Sequence, residues 1–237
     1  MGGRRRGGEH RAAHDLSRPH GWRGRGYRGD SVLTPLDDVP GGPFGCILAD
    51  PPWSFRTWSG KKGTPHRSAN DHYMTTATAD LAALPVQELA AKDCALFMWV
   101  VDSHIDQAIE LGRAWGFRFK TRAFTWRKLT AKGTPRIGMG YWTRKQTELC
   151  LLFTRGKVRR KDKGVREIID APRREHSRKP DEQYERIERL VDGPYIELFA
   201  RQRRAGWQAW GNEVGRFEAA NDNHSPATSR SRAALAR

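Results

Sequence analysis

Gly45-Cys46-Ile47-Leu48-Ala49 runs directly into Asp50-Pro51-Pro52-Trp53, and this junction decides the fold class. The first five residues form a short apolar run that reads as a buried strand, so the tetrapeptide stands at the strand's C-terminal end. In open α/β sheets, ligands bind in the crevice outside the carboxyl ends of the strands. The junction therefore places a carboxylate, two rigid residues without backbone N–H groups and a large aromatic face at a ligand-binding edge. Taken singly, these residues also suit a proline-rich turn closing a strand over a core tryptophan. From average composition, chance gives the four in this order in on the order of one in a few thousand chains of this length.

Outward from the junction, strands and helices alternate. Thr78–Ala91 is helical with a break at Pro85, and Cys94–Val101 (CALFMWVV) is a second continuous buried strand. A helix follows over His104–Trp115, closed by Gly116. Phe117–Lys128 and Thr147–Thr154 read as strands with no helix between them, which predicts an antiparallel pair. Glu167–Asp170 is a short strand candidate. Pro180–Val191 (PDEQYERIERLV) is an amphipathic helix with acidic residues in its first turn. Tyr195–Ala200 (YIELFA) is a closing strand after the turn at Asp192-Gly193-Pro194. The pattern predicts an α/β fold, a mostly parallel sheet with helices on both faces.

The 237 residues suffice for one such domain. Residues 1–30, rich in Arg and Gly, and residues 219–237 read as disordered tails flanking a folded domain over 31–218. In the first tail, Trp22 and Tyr27 among Arg-Gly repeats resemble segments that track single-stranded nucleic acid. A net charge of +16 favours a polyanionic partner, most simply nucleic acid, over an acidic membrane surface. No apolar run approaches a transmembrane span, and no signal peptide is visible. Cys46, Cys94 and Cys150 sit in apolar runs and read as reduced, buried and structural, which fits a cytoplasmic protein. His66, His72 and His104 are scattered and give no metal-ligand spacing.

Arg56–His72 and Leu129–Lys145 are long, basic, glycine-containing connections that follow strands, as binding loops do. With a third basic run, Arg155–Lys163, they are expected to converge into one phosphate-tracking surface.

The chemistry at the junction suits an aromatic amine. The exocyclic amine of adenine is a poor nucleophile because its lone pair is delocalised into the ring. Asp50 accepting one N–H and the Pro51 carbonyl accepting the other would draw the nitrogen toward a tetrahedral, nucleophilic geometry. The prolines keep both acceptors stiff, and Trp53 can stack on the base. No side chain here supplies an electrophile.

Further motifs lie in order downstream: Tyr73-Met74-Thr75, Leu96-Phe97-Met98-Trp99-Val100, Gly140-Tyr141-Trp142, Glu148-Leu149-Cys150, Ser177-Arg178-Lys179-Pro180, Glu197-Leu198-Phe199-Ala200-Arg201, and Trp207 with Gly211-Asn212-Glu213. Together with Asp50-Pro51-Pro52-Trp53, they resemble the DPPW-signature adenine-N6 methyltransferases. That family includes the catalytic subunit of the mRNA (N6-adenosine) methyltransferase and bacterial and phage DNA adenine methyltransferases. The resemblance covers residues 44 to 217. It implies a Rossmann-like fold with permuted motif order and S-adenosyl-L-methionine as the methyl donor. It also implies Asp50, Pro51, Pro52 and Trp53 as the catalytic set. Cofactor contacts would come from Asp50, Ser177, Lys179 (cofactor carboxylate), Glu197 and Arg201 (ribose), and Asn212 and Glu213 (adenine). Substrate contacts would come from Trp53, Tyr73, Trp142, Arg56, Lys61, Lys62, Arg144 and Lys145, with no metal. The chain departs from the family at Gln202-Arg203-Arg204, where an Asn or His is frequent, so the second ribose contact stays open.

The function so implied is methylation of adenine N6 in nucleic acid, with DNA preferred and RNA the alternative. A homo- or hetero-dimer is consistent with the lack of a separate target-recognition domain. Two other readings remain. A catalytically silent nucleic-acid-binding subunit is disfavoured because the tetrapeptide, Lys179, Glu197 and Asn212 are all present. A cytosine-N4 methyltransferase is disfavoured because related signatures often carry Ser at the acidic position and Tyr or Phe at the aromatic one.

Overall fold

A computed structural model of the chain describes Leu36 and residues 39–53, 78–140, 142–175 and 178–217. The strands are β1 (Phe44–Ala49), β2 (Ala90–Val100), β3 (Arg118–Leu129), β4 (Thr147–Arg155), β5 (Ile168–Pro172), β6 (Tyr195–Leu198) and β7 (Trp207–Trp210). The helices are α1 (Thr78–Ala82), α2 (Val86–Leu89), α3 (Ile105–Ala114, entered through a 3₁₀ turn at Asp102–His104) and α4 (Glu182–Leu190). The strands form one sheet in the order β5-β3-β4-β2-β1-β6-β7. β1 pairs in parallel with β2 and β6, β6 with β7, and β3 with β5. β4 alone is reversed, antiparallel to both β2 and β3. A parallel return after β3 would need a helical crossover, and the sequence between β3 and β4 contains no helix. The sheet is thus mostly parallel, as expected.

Central strands covered on both faces must be apolar at every position, which explains the unbroken runs at Gly45–Ala49 and Cys94–Val100. Ile47 and Ala49 face one core with Leu96, Met98 and Val100, closed by Leu81, Val86, Ala108, Leu111 and Trp115 from α1 to α3. Cys46 and Leu48 face the opposite core with Ala95, Phe97 and Trp99, closed by Tyr184, Ile187 and Val191 on α4 and its end. α3 lies so close to β4 that a Cβ at Gly112 would stand 2.4 Å from the Phe153 ring. The three cysteines are free and buried, and burial pushes their thiols up, that of Cys94 to about 12.

Several boundaries move. β2 begins at Ala90, extending the expected strand through the exposed Lys92 and Asp93 toward the sheet's N-terminal edge. The helical stretch before it is two short pieces on either side of Pro85. β7 was not anticipated; it is a four-residue edge strand beside β6.

The expected convergence of three basic runs is corrected. Because β4 runs backwards, its last residue Arg155 pairs with Cys94 at the start of β2. The run Arg155–Lys163 therefore leaves the end of the sheet opposite Asp50. There it meets the C-terminal end of α4, with the Lys161 N–H donating to Leu190 O (2.9 Å) and Lys161 Nζ paired to Asp192 (2.8 Å). Both tails and the Arg56–His72 connection lie outside the described residues. No helix among the described residues is long and apolar enough to cross a membrane.

Candidate active site

β1 ends at Ala49 and hands Asp50 to the C-terminal edge of the sheet, between β2 and β6. Lys179 Nζ donates to Asp50 Oδ2 at 2.7 Å, and Arg201 Nη2 reaches the same oxygen at 3.3 Å. Both of these contacts fall on Oδ2, which anchors the carboxylate through one oxygen. Arg201 arrives from the turn after β6, and Lys179 from the segment leading into α4. Residues remote in sequence thus meet because β1, β6 and α4 all point toward one edge.

Behind Lys179 lies a buried charge chain. Its ammonium also contacts Glu148 Oε1 at 2.9 Å, and Lys128 Nζ contacts Glu148 Oε2 at 2.6 Å. Burial alone would raise the Glu148 carboxyl, but the Lys179 and Lys128 charges overcome it and hold the group down to about 2. Burial alone would lower the Lys179 ammonium, yet Asp50 and Glu148 keep it above the usual lysine range. Lys179 is 8% exposed and also lies 5.6 Å from the centre of the Trp99 ring.

Glu197, on β6, sits across the same cleft. Burial, with a contribution from Asp50, lifts its carboxyl to about 7, against the lowering effect of a Tyr184 hydroxyl that donates to Oε2 at 2.7 Å. Gln202 Nε2 donates to the Tyr184 oxygen at 3.2 Å and to Asp181 Oδ1 at 3.3 Å, tying the α4 entrance to the β6 exit. At that exit Phe199 adopts φ +61°, a strained left-handed conformation for a side-chain-bearing residue. It is held by Ala200 N–H donating to Trp210 O (2.9 Å) and by edge contact with the Trp210 ring. Gly211 permits this closeness, since a Cβ there would lie 2.8 Å from Ala200 N. Phe199 and Phe217 line the cleft together with the charged groups.

The tetrapeptide is stiffer than its sequence required. The Trp53 N–H donates back to Pro51 O at 2.8 Å, so that carbonyl already accepts one hydrogen bond and has one further lone pair. Trp53 is 6% exposed, its Nε1 donates to Trp99 O at 3.0 Å, and its ring lies 5.9 Å from that of His104. It is packed inward, not presented as a stacking face.

Of the residues singled out from sequence, Asp50, Lys179, Glu197 and Arg201 come together. Glu213 joins through Arg201 Nε at 3.6 Å and also holds Arg216. Asn212 is exposed and is not among the residues lining the cleft. Trp142, Arg144 and Lys145 lie on the connection between β3 and β4 and do not line the cleft; Lys145 pairs with Asp102 at 2.7 Å. Ser177, Tyr73, Arg56, Lys61 and Lys62 lie outside the described residues. Sequence reasoning missed Lys128 and Tyr184, saw Glu148 only as part of a motif, and saw Gln202 only as a departure from the family's pattern. Strand periodicity could have flagged Glu148, which shares a face with Cys150 two residues on.

Comparison with known proteins covers this same set of elements. Type II methyltransferase M.MunI of a Mycoplasma species is 33% identical over 205 residues, covering 78% of this chain and 85% of that protein. An N(6)-adenosine-methyltransferase MT-A70-like protein of Arabidopsis thaliana is 32% identical over 76% of this chain, which spans 25% of the plant protein's length. Mouse N(6)-adenine-specific methyltransferase METTL4 is 28% identical over 79% of the chain and 41% of its own length. The family model MT-A70 matches residues 44–213, from the first residue of β1, through Asp50, Glu148, Lys179, Glu197 and Arg201, to Glu213. The chain belongs to the MT-A70 family.

Proposed function

We propose that the protein transfers a methyl group from S-adenosyl-L-methionine to the N6 amine of adenine in nucleic acid, with DNA as the preferred polymer. The observation that carries this is the state of Asp50. Its carboxylate lines the cleft and is fixed through Oδ2 by two cations, which orients it for Oδ1 to accept an amine N–H. The names of the relatives support adenine as the base. The preference for DNA rests on the match to the type II methyltransferase, 33% identical over 78% of this chain and 85% of that protein.

The donor set fits the cofactor. A buried ammonium, a carboxylate that accepts a hydroxyl hydrogen bond and two phenyl walls surround one cleft, which suits an amino-acid carboxylate joined to a nucleoside. When bound, S-adenosylmethionine supplies the electrophile, a methyl group on a sulfonium. Lys179 holds the carboxylate, kept protonated by Asp50 and Glu148. Glu197 would accept from the ribose hydroxyls, with Arg201 beside it; Glu213, paired to Arg201, would meet the adenine edge, whereas Asn212 stands exposed outside the cleft lining. Asp50 Oδ1 accepts one N–H of the target amine and the remaining lone pair of Pro51 O accepts the other, which localises the nitrogen lone pair for attack. Trp53 acts as a buttress that locks the turn onto β2 through Trp99 O. The amine loses its proton after attack, so no strong base is required.

Transfer of labelled methyl to unmethylated DNA and to RNA tests this directly. Asp50→Ala is expected to lower transfer by roughly 100-fold or more, the scale of losing a positioned electrostatic partner, with N6-methyladenine as the product nucleoside. Absence of label in both polymers while calorimetry shows bound cofactor would overturn the reading. A product of N4-methylcytosine would move it to the other exocyclic amine.

A further inference from the structure

The connection between β3 and β4, residues 130–146, carries the most exposed apolar side chains of the described protein: Ile137 at 64%, Met139 at 73% and Trp142 at 91%. Isolated apolar residues on a surface need no explanation, but three on one projection do. The projection is built, not slack. Its base is closed by Arg136 N–H donating to Lys128 O (2.8 Å), Gly138 N–H donating to Lys145 O (2.7 Å) and a Thr130–Thr134 hydroxyl contact (2.8 Å). Lys145 pins it to Asp102 at the end of β2. Near its tip, a Cβ on Gly140 would overlap Thr143 O at 1.9 Å, so the turn is tight.

Its charge is one-sided. Lys132, Arg136, Arg144 and Lys145 lie on it, and no Asp or Glu occurs between Thr130 and Gln146. Cations flanking an apolar, flat-ringed tip match a phosphate backbone flanking stacked bases. It rises from the same sheet edge as Asp50, its root joined to the site through Lys128, Glu148 and Lys179. A duplex adenine must leave the stack to bring its amine against Asp50, and its departure opens a gap that costs a few kcal/mol in lost stacking. Trp142, at 91% exposure, offers an indole plane to a duplex that approaches this edge.

We propose that this projection is a wedge that enters duplex DNA beside the target adenine, with Trp142 stacking into the gap left by the flipped base. The proposal rests on reading the protein as a DNA adenine methyltransferase. Met139 and Ile137 flank the insertion, and Arg136 and Arg144 hold the phosphates on either side.

The test compares the full chain and Trp142→Ala on one unmethylated plasmid supplied as duplex and as heat-denatured single strands. A single strand needs no base extrusion. The ratio of duplex to single-strand methyl transfer is therefore expected to fall about tenfold in the variant, the scale of one lost base–aromatic stack, and Trp142→Phe should recover much of it. Arg144→Gln should lower both activities without moving the ratio. Equal loss on both substrates, no loss on either, or wild-type activity confined to single strands or RNA would overturn the wedge. So would a loss that tracks dissociation of a dimer in sedimentation, which would make the tip a protein interface. A wild-type protein that binds cofactor yet labels no polymer would instead overturn the methyltransferase reading itself. Thermal unfolding guards against misfolding, since a side chain this exposed should leave the midpoint unmoved.

Discussion

Glu197 shows how one carboxylate can link protonation to ligand binding in opposite senses. Its unfolded value is about 4.3, and burial lifts it to about 7 in the folded protein. The folded state therefore holds a proton that the unfolded state releases between those values. Stability of the free protein is expected to fall as pH rises through that window and to level off above it. Cofactor affinity should move the other way. Tyr184 already donates to Oε2, and the ionised group offers Oε1 as a strong acceptor for ribose hydroxyls. Calorimetry from pH 5.5 to 8.5 should show S-adenosylmethionine binding tightening until about pH 7 and then reaching a plateau. In Glu197→Gln the pH dependence of both binding and unfolding midpoint should flatten. Binding that weakens as pH rises to 7 would remove Glu197 from the ribose site.

At the scale of elements, the contact of α3 with β4 makes the sharpest structural prediction. Gly112→Ala places a methyl group 2.4 Å from the Phe153 ring, and both backbones are fixed by their helix and sheet bonds. The overlap should cost about 1–3 kcal/mol, read as a lower urea midpoint. An unchanged midpoint would mean that α3 can slide along the sheet. This closeness was not legible in the sequence, where Gly112 sits inside a helical pattern as an ordinary weak spot. The strands β1 and β2 were legible because burial on both faces leaves continuous apolar runs. β7 was not, because its four residues, Trp207–Trp210, gain their strand character from pairing with β6. The site divided in the same way. Asp50, Lys179, Glu197 and Arg201 could be named from motifs. Tyr184 and Gln202 could not, because a buried tyrosine on an amphipathic helix and a glutamine in a turn become cleft residues only once α4 crosses to the edge where β6 ends. Glu148 reads as a charge at a strand start; the tertiary fold places a lysine on each of its oxygens.

For the whole molecule, the reversed strand separates two basic surfaces that sequence order placed together. Lys132, Arg136 and Arg144 rise at the Asp50 edge, while Lys157, Arg159, Arg160 and Lys163 leave the opposite edge with the chain after β4. β4 joins these edges and spans nine residues, which at the strand rise of about 3.3 Å per residue is roughly 30 Å. Charges that far apart exceed the Debye length of about 8 Å at physiological salt, so the distal cluster cannot reinforce phosphate contacts made near Asp50. Each phosphate neutralised by a cation contributes about −0.9 to the slope of log affinity against log salt on B-form DNA. Removing Arg136 and Arg144 together as glutamines should therefore flatten the slope of duplex binding by about 1.8 on that scale. The triple change of Lys157, Arg159 and Arg160 to glutamine should leave the slope unaltered, because that segment leaves the sheet at the edge opposite Asp50. Filter binding or fluorescence anisotropy across 50–300 mM salt measures both. Equal flattening by the two sets would require DNA to reach both edges of the sheet at once. It would replace a local grip at the catalytic edge with a path that wraps the domain.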